Sequence, residues 1–250
     1  MCLIVFALQS DPRYELLLGA NRDEFHQRGS SAAGYWLDAP QILGGRDLKA
    51  GGTWLGVTRA GRFAAVTNYR DPKTQRGDAR SRGELAASFL GGSQSPAEFA
   101  ASASALKAIY NPFNLLLGER NECWFVGSRE AAPIALTPGL HGLSNASLDT
   151  PWPKVERSRR MLAWALATGD PEGALIEGLG DRAEAPDAEL PDTGVGLALE
   201  RRLSPPFIVG DEYGTRASTV LALRSDGSIR LIEQNFGPGG SIGERRDFEL

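Results

Sequence analysis

Two apolar runs near the N-terminus constrain the fold more than any other feature of this sequence. The first run, CLIVFAL, covers residues 2–8, and the second is Leu16-Leu17-Leu18, followed by Gly19 and Ala20. Each run has the length of a β-strand, and the segment Ser10–Arg13 between them contains turn-forming residues. We therefore predict a β-hairpin over residues 1–28, which would bring the end of its second strand close to Cys2.

Four polar residues, Asn21-Arg22-Asp23-Glu24, follow the second apolar run directly. In the predicted hairpin the charges of Arg22 and Asp23 lie near the Cys2 thiol. A guanidinium near a thiol favours the thiolate, and a carboxylate near an α-amine orients that amine. The four residues are therefore either a solvated turn or part of a reactive site.

The composition is that of a soluble globular protein, and its 250 residues fit one large domain or two small ones. A net charge of -4 argues against a general nucleic-acid binder. The first apolar run lacks a preceding basic segment and is too short to cross a bilayer, so we expect neither a signal peptide nor an integral membrane segment. The two cysteines do not suggest a disulfide-rich secreted protein, and we expect a cytoplasmic location with Cys123 in the core.

Several common kinds of site are missing from the sequence. There is no GxxxxGK[ST] phosphate loop and no GxGxxG after a strand. Two cysteines and two histidines, far apart in the chain, make a structural metal site improbable, so we expect no metal and no required cofactor. The segment Gly142–Ala146 resembles a nucleophile elbow but ends in Ala, and both histidines precede its serine, contrary to the order that this mechanism needs.

The order of predicted elements is strands, helices, strands, helices, strands, which favours an α+β fold over alternating βαβ units. Capping boxes at Ser81–Glu84 and Ser95–Glu98 predict the starts of two helices. We interpret residues 29–54 as a loop rich in glycine. Residues 180–206 are acidic, rich in proline and irregular, and we predict a mobile loop there within a single domain spanning residues 1–250.

Cys2 becomes a candidate nucleophile if Met1 is removed, which is the usual fate of a methionine before a small residue. The α-amine then has a pKa near 7.7–8.0 and the thiol one near 8.5, so the amine can accept the thiol proton without a histidine. The alternative is that Cys2 is a small residue on a buried strand. If Met1 is retained, the mechanism loses its base.

An acyl-transfer site also needs donors that stabilise an oxyanion. The side-chain amides of Asn68, at the end of a predicted strand, and Asn145 are candidates, although each on its own is typical of a turn. Arg216 begins a late strand and can pair with Asp23 or with an anionic substrate. Residues 59–82 contain seven basic residues, which are either a solvated surface or a site for phosphates or propionates.

Together these motifs resemble the NRDE family, whose animal members are called transport and Golgi organisation protein 2. The resemblance covers essentially the whole chain. Its motifs are Met1-Cys2, Ala20–Phe25, Gly51–Gly56, Thr67–Tyr69, Arg82–Leu85, Phe113–Leu115, Gly142–Ala146, Thr150–Trp152 and Tyr213–Arg216.

The NRDE family in turn resembles the cysteine type of N-terminal nucleophile (Ntn) hydrolases, which implies a four-layer αββα sandwich. The resemblance implies a catalytic set consisting of Cys2, Arg22, Asp23, Asn68, Asn145 and Arg216. We expect Asn21, Thr53, Trp54 and Tyr69 to contact the substrate. One difference is that Arg22 directly precedes Asp23, whereas in those hydrolases the arginine lies three residues before the aspartate.

Two functions follow from the resemblance. The first is hydrolysis of a non-peptide amide or an acyl thioester, with Cys2 as the nucleophile. The second is a non-enzymatic role in binding or trafficking of haem, acyl-coenzyme A or an anionic lipid. Haem is then a candidate bound ligand, and its candidate ligating residues are Cys2, His26 and His141.

Overall fold

The computed structural model describes residues 2–120 and 122–250. The strands, numbered in chain order, are β1 (Cys2–Asp11), β2 (Tyr14–Phe25), β3 (Ser30–Trp36), β4 (Ala39–Asp47), β5 (Leu55–Thr58), β6 (Arg62–Asn68), β7 (Phe113–Glu119), β8 (Glu122–Gly127), β9 (Ile134–Ala135), β10 (Gly139–Leu143), β11 (Tyr213–Arg224), β12 (Ile229–Phe236) and β13 (Ile242–Glu249). The α-helices are α1 (Gly83–Gly91), α2 (Pro96–Ala105), α3 (Pro153–Leu166), α4 (Pro171–Gly178) and α5 (Leu197–Arg202).

The chain divides into two compact units. The first contains the chain up to Gln27, together with residues Pro138–Ser144 and Leu148–Leu250. The second contains Arg28–Thr137 and Asn145–Ser147. The prediction that residues 1–250 form a single domain stays a prediction.

The first unit is an antiparallel sheet with a helical layer on one face. The strand order is β10-β1-β2-β11-β12-β13. Its core joins Val5, Leu17 and Val220 of the sheet to Leu162 of α3 and Leu175 of α4. Because successive side chains of a strand point to opposite faces, Cys2 and Arg22 lie on the face away from these helices.

The second unit repeats this arrangement with different elements. Its antiparallel sheet has the order β3-β4-β5-β6-β7-β8-β9. Leu85 and Phe89 of α1 and Phe99 of α2 are buried in one cluster with Val66 and Leu115 of the sheet. Each unit therefore consists of one sheet and one helical layer, which confirms the predicted α+β class.

Two regions that the sequence predicted as loops contain regular structure. Residues 29–54 contain the whole of β3 and β4, because Ala33, Trp36 and Ile42 are buried and strand pairing satisfies the backbone between the glycines. Residues 180–206 contain α5, in which Glu200 is buried and accepts hydrogen bonds from the backbone and hydroxyl of Thr193. The predicted mobility of this segment stays a prediction.

The two predicted helix starts have different outcomes. At Ser95–Glu98 both hydrogen bonds of the capping box are present, so that prediction is confirmed. At Ser81–Glu84 the predicted helix is present as α1, but the predicted capping box is wrong, because α1 begins at Gly83 and no side chain caps it. There, Glu84 forms an ion pair with Arg80 instead.

Candidate functional site

The N-terminal hairpin places Cys2 directly opposite Arg22. Strands β1 and β2 pair antiparallel, with Cys2 against Arg22 and Leu3 against Asn21. The register confirms the predicted hairpin, and both apolar runs are buried in it on both faces of the sheet. Arg22 is 6% exposed, so the residue is largely shielded from solvent.

The Cys2 thiol lies beside the backbone that follows Arg22. Its sulfur accepts a hydrogen bond from the Asp23 backbone N–H. Burial raises the pKa of the Cys2 thiol above its ordinary value, and the Asp23 charge acts in the same direction, whereas the Asp23 N–H and Arg22 oppose them. Since burial outweighs the opposing effects, the thiol is protonated at neutral pH and needs a base before it can attack.

Asp23 is held by a residue from the other end of the chain. The carboxylate is buried, and its Oδ1 accepts a hydrogen bond of 2.7 Å from Thr215 Oγ1. Thr215 pairs with Asp23 across the β2–β11 ladder, and its hydroxyl also accepts a bond from the Ile208 N–H. Sequence reasoning did not single out Thr215, although it lies in the motif Tyr213–Arg216.

Arg216 occupies a β-bulge next to Thr215. The register of the β2–β11 ladder shifts between Thr215 and Ala217, which leaves Arg216 as the extra residue. Its Nη1 donates to the carbonyls of Phe25 and His26, at the end of β2. Burial, followed by the charge of Arg22, lowers the pKa of Arg216. Arg216 is therefore close enough to Arg22 for the two positive charges to repel each other. It is also hydrogen-bonded to the end of the strand that carries Asp23.

Asn21 is buried and hydrogen-bonded to other residues of the first unit. It is 1% exposed and faces the helical layer, on the opposite side of the sheet from Arg22. Its amide nitrogen donates to the carbonyls of Leu179 and Pro206, both at 2.9 Å, and its oxygen accepts from Ser218 Oγ at 2.6 Å. These bonds occupy both ends of the amide, so substrate contact by Asn21 stays a prediction that the local geometry does not favour.

Ser144 is a second residue that the sequence did not single out as functional. It follows β10, which pairs with β1 on the side away from β2. Its Oγ donates a hydrogen bond of 3.0 Å to the backbone carbonyl of Cys2. The backbone of the candidate nucleophile is thus held from both neighbouring strands.

The two predicted oxyanion residues meet within the second unit. Asn145 Nδ2 donates to both the backbone carbonyl and the Oδ1 of Asn68, each at 3.0 Å. The Asn145 carbonyl accepts from the Arg70 N–H at 2.7 Å. Their participation in one site with Cys2 stays a prediction, as does their oxyanion role.

The remaining predicted substrate contacts also belong to the second unit. The Thr53 hydroxyl bonds to the backbone of Leu55, where it donates to the carbonyl at 2.8 Å. The Trp54 ring packs against Gly45, where an added Cβ would approach it to 2.1 Å. Tyr69 lies beneath the Arg129 guanidinium. These contacts explain local packing, and a role in substrate binding stays a prediction for all three residues.

The basic residues of the segment 59–82 are distributed over several contacts. Arg59 stacks on Tyr35, Arg62 pairs with Glu119, and Arg76 donates to the carbonyl of Ala108. Arg82 donates to the carbonyls of Asn111 and Pro112. These four basic side chains therefore bind to other parts of the second unit, and binding of phosphates or propionates by the segment stays a prediction.

The two histidines have identifiable partners. His26 Nε2 lies 3.1 Å from the Gly210 carbonyl, and His141 Nδ1 lies 2.8 Å from Asp149 Oδ2. Within residues 2–120 and 122–250, no group of three or more His, Cys, Asp or Glu side chains is arranged to hold a metal ion. In the same part of the chain, no helix is both long and apolar enough to cross a membrane.

A solved structure shares this fold. The Caenorhabditis elegans N-acylethanolamine-hydrolyzing acid amidase (NAAA) ortholog superposes with a TM-score of 0.51, over 88% of this chain and 92% of that chain, at 13% sequence identity. At this identity the likeness concerns the fold alone. It confirms the predicted Ntn-hydrolase-like fold class.

Relatives in sequence include transport and Golgi organization protein 2 homologs. The bovine protein is 35% identical over 94% of this chain and 93% of its own length. The human protein is 36% identical over the same shares of the two chains. The profile of the family described as Transport and Golgi organisation 2 matches residues 1–238. By sequence, this chain belongs to the Transport and Golgi organisation 2 family.

Proposed function

We propose that the chain is a cysteine hydrolase of the N-terminal nucleophile type, which cleaves a non-peptide amide or an acyl thioester. The observation that carries the proposal is the environment of Cys2. Its thiol lies at the start of a strand, opposite Arg22, and accepts a hydrogen bond from the Asp23 N–H. The cytoplasmic location expected from the composition is part of the same proposal.

Because the pKa of the Cys2 thiol is raised, the mechanism has to supply a base that removes the thiol proton. Removal of Met1, which lies outside the described residues, gives Cys2 a free α-amine. The amine takes the thiol proton, and the sulfur attacks the substrate carbonyl. The amine then protonates the departing amine or thiol, and the product is an acyl-enzyme thioester. Water, deprotonated by the same amine, cleaves this thioester and regenerates Cys2.

In this proposal Asp23 orients the α-amine, and the Thr215 hydroxyl fixes the Asp23 carboxylate. Arg216 and Arg22 position the substrate. Asn68 and Asn145 stabilise the oxyanion, a role that rests on the family resemblance alone.

The substrate class is supported by a fold likeness. The Caenorhabditis elegans protein whose structure shares this fold is named for hydrolysis of N-acylethanolamines, which are non-peptide amides. Thioesters are included because attack by a thiol and release of a thiol require the same proton transfers as amide cleavage.

The second proposal is a binding or trafficking role for haem, acyl-coenzyme A or an anionic lipid, without catalysis. Cys2, His26 and His141 are its candidate haem ligands. It requires neither removal of Met1 nor a base for the Cys2 thiol. Because Cys2 belongs to both proposals, the measurements that separate them are turnover and the removal of Met1, which only the hydrolase requires.

The test begins with the intact mass of the protein from its native host, which should be short by one methionine. Cys2→Ala should then abolish hydrolysis of N-acylethanolamines and acyl thioesters while the circular dichroism spectrum is preserved. Cys123→Ala is the matched control, since that thiol is buried in the second unit. Full activity of Cys2→Ala would refute the hydrolase proposal. Retention of Met1 would leave the mechanism without its base and favour the binding proposal.

A further inference from the structure

We infer that Ser144 is a positioning residue for Cys2, and that the His141–Asp149 pair fixes the loop which carries Ser144. The inference rests on the proposed function, because it concerns the geometry of the proposed nucleophile. The side chains and backbone groups that form the bonds, those of Cys2, His141, Gly142, Ser144 and Asp149, all belong to the first unit.

Cys2 needs a positioning residue because it lies at the very start of β1. Cys2 is the first residue of β1, and the pairing of β1 with β10 ends at Ile4, which lies opposite Leu143. On that side Cys2 therefore extends two residues beyond the ladder. Terminal residues fray unless they are held, and a nucleophile must keep one orientation to react efficiently.

The Ser144 hydroxyl continues the ladder by a side-chain bond. Ser144 is the residue after Leu143, and its Oγ donates to the Cys2 carbonyl at 3.0 Å. A bond to this carbonyl restricts ψ of Cys2, and ψ relates the carbonyl to the α-amine and the side chain. Ser144 is 3% exposed, so water competes little for the hydroxyl.

The loop that follows Ser144 is closed at its base by Asp149. The Asp149 N–H donates to the Gly142 carbonyl at 2.8 Å, and Oδ1 accepts from the Gly142 N–H at 2.7 Å. Its Oδ2 bonds to His141 Nδ1 at 2.8 Å. Asp149 adopts a φ of 56°, a conformation that costs energy for a residue other than glycine.

The charge of Asp149 and one ring contact of His141 support this closure. Although burial alone would raise it, the pKa of Asp149 is lowered by the hydrogen bonds from His141 and from the Gly142 N–H, so the carboxylate is ionised at neutral pH. The His141 ring stacks on Phe6 with a centroid distance of 5.1 Å. Phe6 is part of β1, so the closed loop is attached to the strand that Cys2 begins.

The experiment compares Ser144→Ala with Ser10→Ala in the full-length protein. Ser10 is the matched control because its Oγ donates to the Gly139 carbonyl, at the other end of the same strand pair. Hydrogen exchange is measured by NMR spectroscopy on the individual backbone amides of β1, and kcat and KM are measured on an N-acylethanolamine. Exchange reports positioning even if the protein has no hydrolase activity.

Ser144→Ala should accelerate exchange at the Leu3 amide several-fold and lower kcat about tenfold, with KM within about twofold. Asp149→Ala should act in the same direction, and Ser10→Ala should do neither. Exchange and kcat equal in Ser144→Ala and Ser10→Ala would overturn the inference. If exchange rises throughout the first unit, Ser144→Thr decides: restored protection at Leu3 supports a role of the hydroxyl, and its absence overturns it.

Discussion

Cys2 and Arg22 are direct partners across the β1–β2 ladder, on the face of the sheet away from the helices of their unit. Leu3 and Val5 face one side of the sheet and Ile4 and Phe6 the other, and all four side chains are buried. A slip of one residue would exchange the two faces. The observed register therefore decides which face of the sheet carries the thiol.

The hydrogen bond between Thr215 and Asp23 should be important for both stability and activity. Thr215→Val keeps the shape of the side chain but removes a buried donor to a carboxylate, which should cost about 1.5–3 kcal/mol of unfolding free energy. The proposed kcat should also fall, because Asp23 loses orientation. Thr219→Val is the control on the same strand, since its bond to Glu233 is 3.4 Å long. Equal effects of the two variants on stability and kcat would contradict the role assigned to Thr215.

Asn21 should be a structural residue despite its place in the tetrapeptide. Asn21→Leu removes the partner of the buried carbonyls of Leu179 and Pro206, and should lower the Tm by roughly 5 °C or more, with KM unchanged in the folded fraction. Asn235→Leu is the control, because its amide is only partly buried. A Tm equal to wild type together with a raised KM would restore Asn21 as a substrate contact.

His26 should make the protein less stable in mild acid. Burial, followed by the Arg216 charge, lowers the pKa of His26, and its buried Nδ1 has no hydrogen-bond partner among the described residues. The unfolded chain, with a pKa of about 6.5, then binds the proton more readily than the folded protein, so stability present above pH 6.5 is lost as the pH falls through the folded pKa.

His26→Gln tests this, because its amide can still donate to the Gly210 carbonyl but does not titrate. The Tm of the wild type should fall more steeply than that of His26→Gln between pH 7.5 and pH 5. Parallel curves would show that another group is responsible.

The residues near the start of the chain were predictable because their contacts are local. The hairpin, its turn and the approach of Arg22 to Cys2 follow from two apolar runs separated by turn residues, all within about 25 residues. The capping box at Ser95 was predictable for the same reason, since both partners lie within one helical turn. Residues 29–54 were predicted incorrectly, because their strands depend on pairing rather than on a strong apolar pattern.

The sequence by itself determined the first hairpin, the α+β class and the position of the thiol next to Arg22. Only the tertiary structure decided that Asn21 faces the helices, that Thr215 holds Asp23 and that Ser144 holds the Cys2 carbonyl. The physical reason is sequence separation: the Thr215–Asp23 bond joins residues 192 positions apart, and the Ser144–Cys2 bond joins residues 142 apart. The local structural preferences of the sequence do not predict such pairs, because the pairs form only once the strands between them are packed.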